Sequence, residues 1–281
     1  MKVAPVLAAL KGHKNVEQIL VHTGQHYDVN MSDVFFEQLG IPAPDVNLAV
    51  GSGSHAKQTA EIMIRLEPVV VERRPDMVLV YGDVNSTVAT VLVCAKLGVE
   101  VGHVEAGLRS FERTMPEEIN RLVTDQLADL LLTPSEDGDE NLRREGISEE
   151  KIFRVGNVMI DSLVRLLPAA RTALETKAND LPARYALVTL HRPANVDEGV
   201  TLKGILESLL DVNRDLTVVF PAHPRTRKRI ADFGLHAGQL RVLDPLPYID
   251  FLGMQSRATV VITESGGIQE GRRRPIWACL A

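Results

Sequence analysis

Several carboxylates stand at positions where acid–base chemistry could take place. Asp83 and Glu105 each follow a short apolar segment, and Glu117 and Glu118 come directly after Pro116, a residue that suits the first position of a helix. A carboxylate that ends an apolar strand is costly to bury unless it has a task, which makes Glu105 the hardest to explain structurally. We interpret Asp83, Glu105 and Glu117 as candidate acid–base residues. Stabilising the helix N-terminus is an equal alternative for Glu117 and Glu118.

A second group of residues has the character of an anion site. His191 and Arg192 follow one apolar segment, His223 follows the next, and Ser265 with two glycines follows a third. Glycine amides at a strand-to-helix turn can approach a phosphate closely, and histidine and arginine can donate to it. A plain tight turn would use the same two glycines, Gly266 and Gly267, and a solvated loop could carry the same His-Arg pair.

The elements that must position these groups read as alternating strands and helices. Such alternation predicts βαβ units with parallel sheets, in which ligands bind beyond the carboxyl ends of the strands. We therefore predict an α/β fold of two doubly wound Rossmann-like domains that face a cleft. The region 166–184 reads as a linker and places the boundary between domains 1–166 and 167–281. The predicted strands are 19–21, 77–80, 99–104, 130–132, 152–155, 185–190, 216–220, 240–243 and 259–262.

Two helices are predicted with more detail from the spacing of their apolar residues. They cover 56–72 and 116–128. In the second, one apolar face is expected, formed by Ile119, Leu122, Val123, Leu127 and Leu130.

The composition of the chain argues against several further classes of protein. The net charge of −6 offers no basic excess to displace phosphate counterions, which argues against a nucleic-acid or membrane-surface protein. Two cysteines are too few for a disulfide scaffold and fit a reducing, cytoplasmic setting. The apolar run 3–10 is far shorter than a membrane span. No HxH, HExxH or CxxC spacing is present, so we expect no catalytic metal.

Taken together and in this order, the motifs resemble the non-hydrolysing UDP-N-acetylglucosamine 2-epimerases. The resemblance extends from about residue 2 to residue 270, and no single motif carries it. The motifs are 22–28 (HTGQHYD), 82–83 (GD), 102–109 (GHVEAGLR), 116–121 (PEEINR), 191–192 (HR), 245–251 (PLPYIDF) and 265–270 (SGGIQE).

The resemblance implies a glycosyltransferase-B-like fold and a role for each matching residue. It implies that Asp83, Glu105, Glu117 and His191 are catalytic, with His191 also on the diphosphate. Implied substrate-binding residues are Lys2, Phe251, Ser265, Gly266 and Gly267. A possible regulatory nucleotide-sugar site would use Gln25, His26, Arg192 and His223. The implied partners are UDP-GlcNAc and UDP-ManNAc, with no cofactor and a homodimer for the full-length protein.

The implied reaction accounts for these residue types. The C2 proton of the sugar is barely acidic, so loss of UDP from C1 must develop positive charge that acidifies it. Elimination then gives a glycal, and UDP adds back after a proton reaches the opposite face of C2. More than one acid or base is needed for these transfers, and donors on the departing diphosphate stabilise its charge.

The chain also departs from the family pattern at both ends. A first strand with its Gly-Thr-Arg-Pro-Glu turn does not precede Lys2, and the last elements of the second domain do not follow the Ser-Gly-Gly motif. Gly271 stands where the family has a ribose-binding glutamate. We therefore expect a chain truncated at both ends, with the second domain incomplete. Alternatives are an inactive fragment, or a hydrolysing epimerase or glycosyltransferase relative.

Overall fold

The structure, a computed structural model of the 281-residue chain, describes residues 1–24, 36, 38–177, 181–265, 268 and 279–280. The chain divides into two compact units, Met1–Ser162 and Leu163–Ala281. Parallel strands alternate with helices in both, so the structure is of the predicted α/β class. None of the helices in these described ranges is long and apolar enough to cross a lipid bilayer.

The first unit contains a four-stranded parallel sheet in the order β3-β4-β5-β6 and a separate parallel pair, β1-β2. No strand pairing joins these two sheets in the described part of the chain. A 3₁₀ turn at Glu149–Lys151 precedes β6. The elements are α1 (Val3–Leu10), β1 (Val21–His22), β2 (Val46–Asn47), α2 (His55–Arg73), β3 (Met77–Tyr81), α3 (Asn85–Leu97), β4 (Glu100–Val104), α4 (Pro116–Leu127), β5 (Leu130–Thr133), α5 (Glu136–Arg144) and β6 (Ile152–Arg154).

One apolar core links the two sheets of the first unit. Ile62 and Leu66 of α2 and Val91 of α3 are buried in the same cluster as Val80 and Val101 of the larger sheet, and Val21 and Val46 of the smaller sheet pack against it. Ser54 begins α2 because its side chain accepts a hydrogen bond from the backbone N–H of Lys57. Among the described residues, side-chain packing rather than strand pairing therefore joins the β1-β2 pair to the larger sheet.

The second unit is built on the sheet order β11-β10-β7-β8-β9. The chain starts in the middle at β7, runs outward through β8 and β9, and then returns to the other side of β7 at β10. That reversal is a topological switch point, the place where open parallel sheets bind ligands. Its elements are α6 (Val158–Lys177, which begins in the first unit), β7 (Ala186–Thr189), α7 (Pro193–Val196), α8 (Gly199–Asp215), β8 (Val218–Pro221), α9 (Pro224–Asp232), β9 (Arg241–Leu243), α10 (Tyr248–Arg257), β10 (Val260–Thr263) and β11 (Cys279–Leu280).

The predicted linker at 166–184 is wrong for most of its length, because α6 continues through Pro168 to Lys177. Leu163, Leu166, Ala170 and Leu174 are buried at intervals of three or four residues, which is the spacing of a helix face against a core. The boundary between the compact units also lies inside this helix, slightly before residue 166.

The predicted apolar face of α4 is also wrong. Ile119 and Leu127 are exposed, while the buried residues of this helix are Glu118, Asn120, Thr124 and Asp125. The polar atoms of Glu118, Asn120 and Asp125 bond to neighbouring loops and strands, so hydrogen bonding overrides the apolar pattern at these positions. α4 therefore presents a polar face to the candidate site.

Candidate functional site

The turn after β3 holds Asp83. Gly82 adopts φ 72°, a left-handed conformation that favours glycine, and a Cβ at this position would lie 2.6 Å from Nζ, the flexible end of the Lys2 side chain. The Asp83 carboxylate forms an ion pair with Arg121 of α4, and Asn120 Nδ2 donates to the Asp83 carbonyl at 2.8 Å. α4 thus fixes both the side chain and the backbone of Asp83.

The next turn, after β4, holds Glu105. This residue has φ 77°, a left-handed conformation that is uncommon for a residue other than glycine. Its Oε2 lies 2.8 Å from the Nζ of Lys2, and the side chains are 16% and 26% exposed. Since Lys2 also reaches Gly82, one ammonium group lies beside the turns that carry Asp83 and Glu105.

A buried polar network lies beneath these two turns. His103 of β4 lies 2.6 Å from Asp125 Oδ1 through Nδ1 and 2.9 Å from the Gly82 carbonyl through Nε2. The other oxygen of Asp125 accepts from Gly107 N–H at 3.1 Å and pairs with Arg109 at 2.7 Å. Burial lowers the pKa of Arg109, but Glu145 and Asp125 outweigh it and leave that pKa raised. The network ties the Asp83 turn to the Glu105 turn.

The two neighbouring glutamates of α4 have different surroundings. Glu118 is buried and accepts from the backbone N–H groups of Ser110 and Phe111, from Ser110 Oγ and from Arg121. Burial would raise the pKa of Glu118, but these hydrogen bonds outweigh it and leave the pKa lowered. Glu117 is half-buried on the same turn. Glu118 therefore holds the loop before α4 in place, so stabilising that loop is its observed role.

The second unit has a cavity of about 230 Å³ at its switch point. It lies beyond the carboxyl ends of β7, β8 and β10, and its lining combines apolar and hydrogen-bonding groups. The lining residues are Thr189, Leu190, His191, Pro221, His223, Pro245, Leu246, Phe251, Ser265 and Ile268. Ser265 is oriented by the hydroxyl of Thr263, which accepts from its backbone N–H at 3.0 Å.

One carboxylate organises the turn that carries His191. Glu264, directly after β10, accepts hydrogen bonds from the backbone N–H groups of His191 and Arg192 and from Asn195 Nδ2. Its Oε1 also lies 3.3 Å from His191 Nδ1. Burial would raise the pKa of Glu264, but Asn195 and the two backbone donors outweigh it and leave the pKa lowered.

His223 has both a structural and a cavity-facing position. It precedes α9, where its side chain accepts from the backbone N–H of Arg225 at 3.2 Å. Its ring centroid lies 6.1 Å from that of His191, and both rings line the cavity. Arg192, in contrast, is exposed and does not line it.

The structure therefore brings the sequence-predicted residues together in two sets, one in each unit. Lys2, Asp83 and Glu105 form the first set. Glu117 belongs to the same unit and lies on α4. His191, His223, Phe251 and Ser265 form the second set around the cavity. Four predicted residues lie outside the described residues: Gln25, His26, Gly266 and Gly267.

Sequence reasoning missed several residues that build the two sets. Arg121 could have been predicted from the sequence, because it stands three positions after Glu118 and therefore lies on the same helix face. His103 and Glu264 could not be distinguished from ordinary strand-end residues, because their partners are far away in the chain. Within the described ranges, no group of three or more His, Cys, Asp or Glu residues is arranged to hold a metal ion.

The fold and the site define a doubly wound α/β protein with a cavity lined by apolar and hydrogen-bonding groups at one switch point and carboxylates at the strand ends of its other unit. The sequence model described as UDP-N-acetylglucosamine 2-epimerase matches residues 8–272. The chain belongs to the UDP-N-acetylglucosamine 2-epimerase family, as its motifs predicted.

Individual relatives agree with this assignment. The chain is 41% identical over 281 residues to the UDP-N-acetylglucosamine 2-epimerase of Methanocaldococcus jannaschii, and the match covers 96% of this chain and 76% of that protein. It is 42% identical over 273 residues to the UDP-2,3-diacetamido-2,3-dideoxy-D-glucuronate 2-epimerase of Pseudomonas aeruginosa, with the same coverage. A crystal structure of the M. jannaschii enzyme in complex with UDP-GlcNAc and UDP superposes with a TM-score of 0.84 at 37% identity and covers 100% of this chain and 85% of that one.

Proposed function

We propose that the protein inverts C2 of UDP-N-acetylglucosamine to give UDP-N-acetylmannosamine. The observation that carries this proposal is the pair of turns after β3 and β4, where Asp83 and Glu105 stand beside fixed cations in a chain of this family. Elimination breaks the C2–H and C1–O bonds to give a glycal and UDP, and re-addition reverses both changes. Each step moves a proton and the UDP group and transfers no hydride, so this route uses no redox cofactor.

The carboxylates of the first unit are assigned to proton transfer. Glu105 is partly exposed, its conformation is strained, and Lys2 holds its carboxylate, which favours a residue kept in place for a task. Asp83 and Glu117 supply the further acid or base that delivery of a proton to the opposite face of C2 requires. Each positioned acid or base contributes about 10²–10⁴ in rate.

The cavity of the second unit is assigned to the UDP group. His191 and Ser265 offer donors for the diphosphate, and Phe251 offers an aromatic surface for the uracil. Donors placed on the departing diphosphate stabilise the charge that forms in the transition state. Gly266 and Gly267 are proposed to add backbone donors to the diphosphate, and Arg192 with His223, Gln25 and His26 to bind a second, regulatory nucleotide sugar.

A second candidate substrate is UDP-2,3-diacetamido-2,3-dideoxy-D-glucuronate. The chain is as similar to a 2-epimerase of that sugar as to one of UDP-GlcNAc, at 42% and 41% identity. Both reactions invert C2 of a 2-acetamido sugar, so the same carboxylates serve either. The two substrates differ at C3 and C6, and direct competition between them in one assay would decide which is used.

The setting of the reaction is also a proposal. A nucleotide-sugar enzyme with two cysteines, of which Cys94 is buried and unpaired, fits the cytoplasm. Ile64 and Val71 lie on one face of α2 and are 64% and 55% exposed, which favours a homodimer that covers this face. Light scattering on the purified protein would test the homodimer directly.

The experiment that tests the function follows UDP-GlcNAc in deuterated water with the protein. We expect UDP-ManNAc as product, with deuterium at C2 of both sugars. Full retention of the C2 hydrogen in the product would contradict elimination. Release of free sugar with UDP would indicate a hydrolysing enzyme, and sugar transfer to an acceptor would indicate a transferase. UDP binding without turnover would indicate an inactive fragment.

A further inference from the structure

Glu264 connects the two strands that flank the switch point of the second unit. It follows β10, yet it accepts hydrogen bonds from the backbone of His191 and Arg192, which follow β7, more than 70 residues earlier in the chain. Its side chain is 9% exposed, and Asn195 of α7 donates to its other oxygen. A carboxylate held by this many donors has one orientation.

The same carboxylate determines which nitrogen of His191 remains for a ligand. Glu264 Oε1 lies 3.3 Å from His191 Nδ1, and because a carboxylate oxygen is an acceptor, this arrangement favours a proton on Nδ1. The Nε2 atom lies on the other edge of the ring. His191 lines the cavity, whereas Glu264 does not. The ring of His191 is therefore close both to the carboxylate and to the space that would receive a ligand.

We propose that Glu264 is a positioning residue for nucleotide binding, fixing the ring of His191 so that Nε2 donates to the diphosphate of the bound nucleotide. This rests on the proposed assignment of UDP to the cavity. A carboxylate that fixes the tautomer and orientation of a histidine is a common arrangement where that histidine binds a ligand or moves a proton. Glu264 makes no contact with the nucleotide in this arrangement.

The direction in which UDP affinity changes when Glu264 is replaced distinguishes this positioning role from charge repulsion alone. A carboxylate close to an anionic ligand repels it, so removing the charge of Glu264 would by itself tighten the binding of UDP. Loss of positioning acts in the opposite direction, because His191 then rotates freely and must be ordered when UDP binds. Among the described residues, His223 lies near the ring of His191, at 6.1 Å between ring centroids, and Arg192 is next to it in the chain. Neither changes in the variant described next.

The test measures UDP binding to the full 281-residue chain by calorimetry for the wild type, Glu264→Gln, His191→Ala and the double variant. We expect Glu264→Gln to weaken UDP about 10-fold, the scale seen when a partner that orients a histidine ligand is removed. In the double variant we expect no loss beyond that of His191→Ala, because Glu264 acts through His191. The control is Glu207→Gln on α8, an exposed carboxylate 3.8 Å from Lys203, which should bind UDP as the wild type does.

Unchanged or tighter UDP binding in Glu264→Gln would overturn the proposal, as would additive losses in the double variant. A wild-type chain that does not bind UDP would instead contradict the nucleotide assignment itself. A measurement without any substitution covers the case in which Glu264→Gln does not fold. In a ¹⁵N-edited spectrum of the wild-type imidazoles, Nδ1 of His191 should be protonated both with and without UDP, and an unprotonated Nδ1 would refute the proposed arrangement.

Discussion

Replacing Glu118 by alanine should destabilise the first unit far more than the same change at its neighbour Glu117. Glu118 is 2% exposed and accepts from Ser110 N–H at 2.9 Å, Phe111 N–H at 3.0 Å and Arg121 at 2.9 Å. Glu117, one position earlier, is half-buried. The two residues share a helix turn, a charge and a size, so they form a matched pair.

The magnitude follows from what the alanine leaves behind. Glu118→Ala strands two backbone donors and removes one of the two carboxylates that pair with the partly exposed guanidinium of Arg121, and breaking a buried ion pair from one side costs about 3–5 kcal/mol. A unit of this size loses about 2–4 °C of melting temperature per kcal/mol, so a fall of about 6–20 °C is expected. Glu117→Ala should stay within about 0.5 kcal/mol of the wild type.

Thermal unfolding followed by far-UV circular dichroism measures both values. Hydrogen exchange adds local detail, because the amides of Ser110 and Phe111 should lose protection in Glu118→Ala. Turnover separates the pair in the opposite sense, since Glu117→Gln should lose about 10²-fold or more in rate while it melts as the wild type does. Equal destabilisation by the two alanines would refute the distinction between them.

Three further predictions concern single residues. Glu105→Gln should retain UDP-GlcNAc binding and lose at least about 10²-fold in turnover, and near wild-type turnover would make this carboxylate structural. Folding lowers the pKa values of Glu118 and Glu264, so the stability that these carboxylates contribute is present above the unfolded pKa, about 4.3, and is lost as the pH falls through the lower folded values. Urea unfolding between pH 5 and 3 should show this loss of stability, and the loss should be smaller in Glu118→Gln. Burial raises the pKa of Cys94 to about 11, so peptide mapping after iodoacetamide treatment should find Cys94 unmodified in the folded protein and modified in urea.

The sequence predicted the α/β class and most strands because strand and helix periodicities are local properties. Segments such as 77–80 and 152–155 are short and apolar, and the strands Met77–Tyr81 and Ile152–Arg154 lie there. The linker at 166–184 failed for a different reason. Pro168, Asn179 and Pro182 are typical of loops, but buried Leu166, Ala170 and Leu174 keep the helix intact past the first of these prolines.

The candidate site could be predicted at the level of residue types and strand ends, but its internal contacts could not. Ser265 and His191 both follow strands, and a chain that resembles a known family gives them roles. The hydrogen bond from the backbone N–H of His191 to Glu264 forms because β10 lies beside β7. This strand pairing is fixed by the sheet order rather than by local sequence.

The apolar face predicted for α4 was wrong because polar contacts override the apolar pattern of this helix. An ordinary amphipathic helix would bury Ile119 and Leu127, but in this helix Asn120 and Asp125 are buried, since they hold the Gly82–Asp83 turn directly or through His103. Burying Glu118, Asn120 and Asp125 is tolerated because each has hydrogen-bond partners, and the number of partners indicates a surface built for precision rather than for stability alone. Violations of the expected pattern concentrate where side chains must be held in place. On this reasoning, the inverted face of α4 is independent support for placing the chemistry at the turns that carry Asp83 and Glu105.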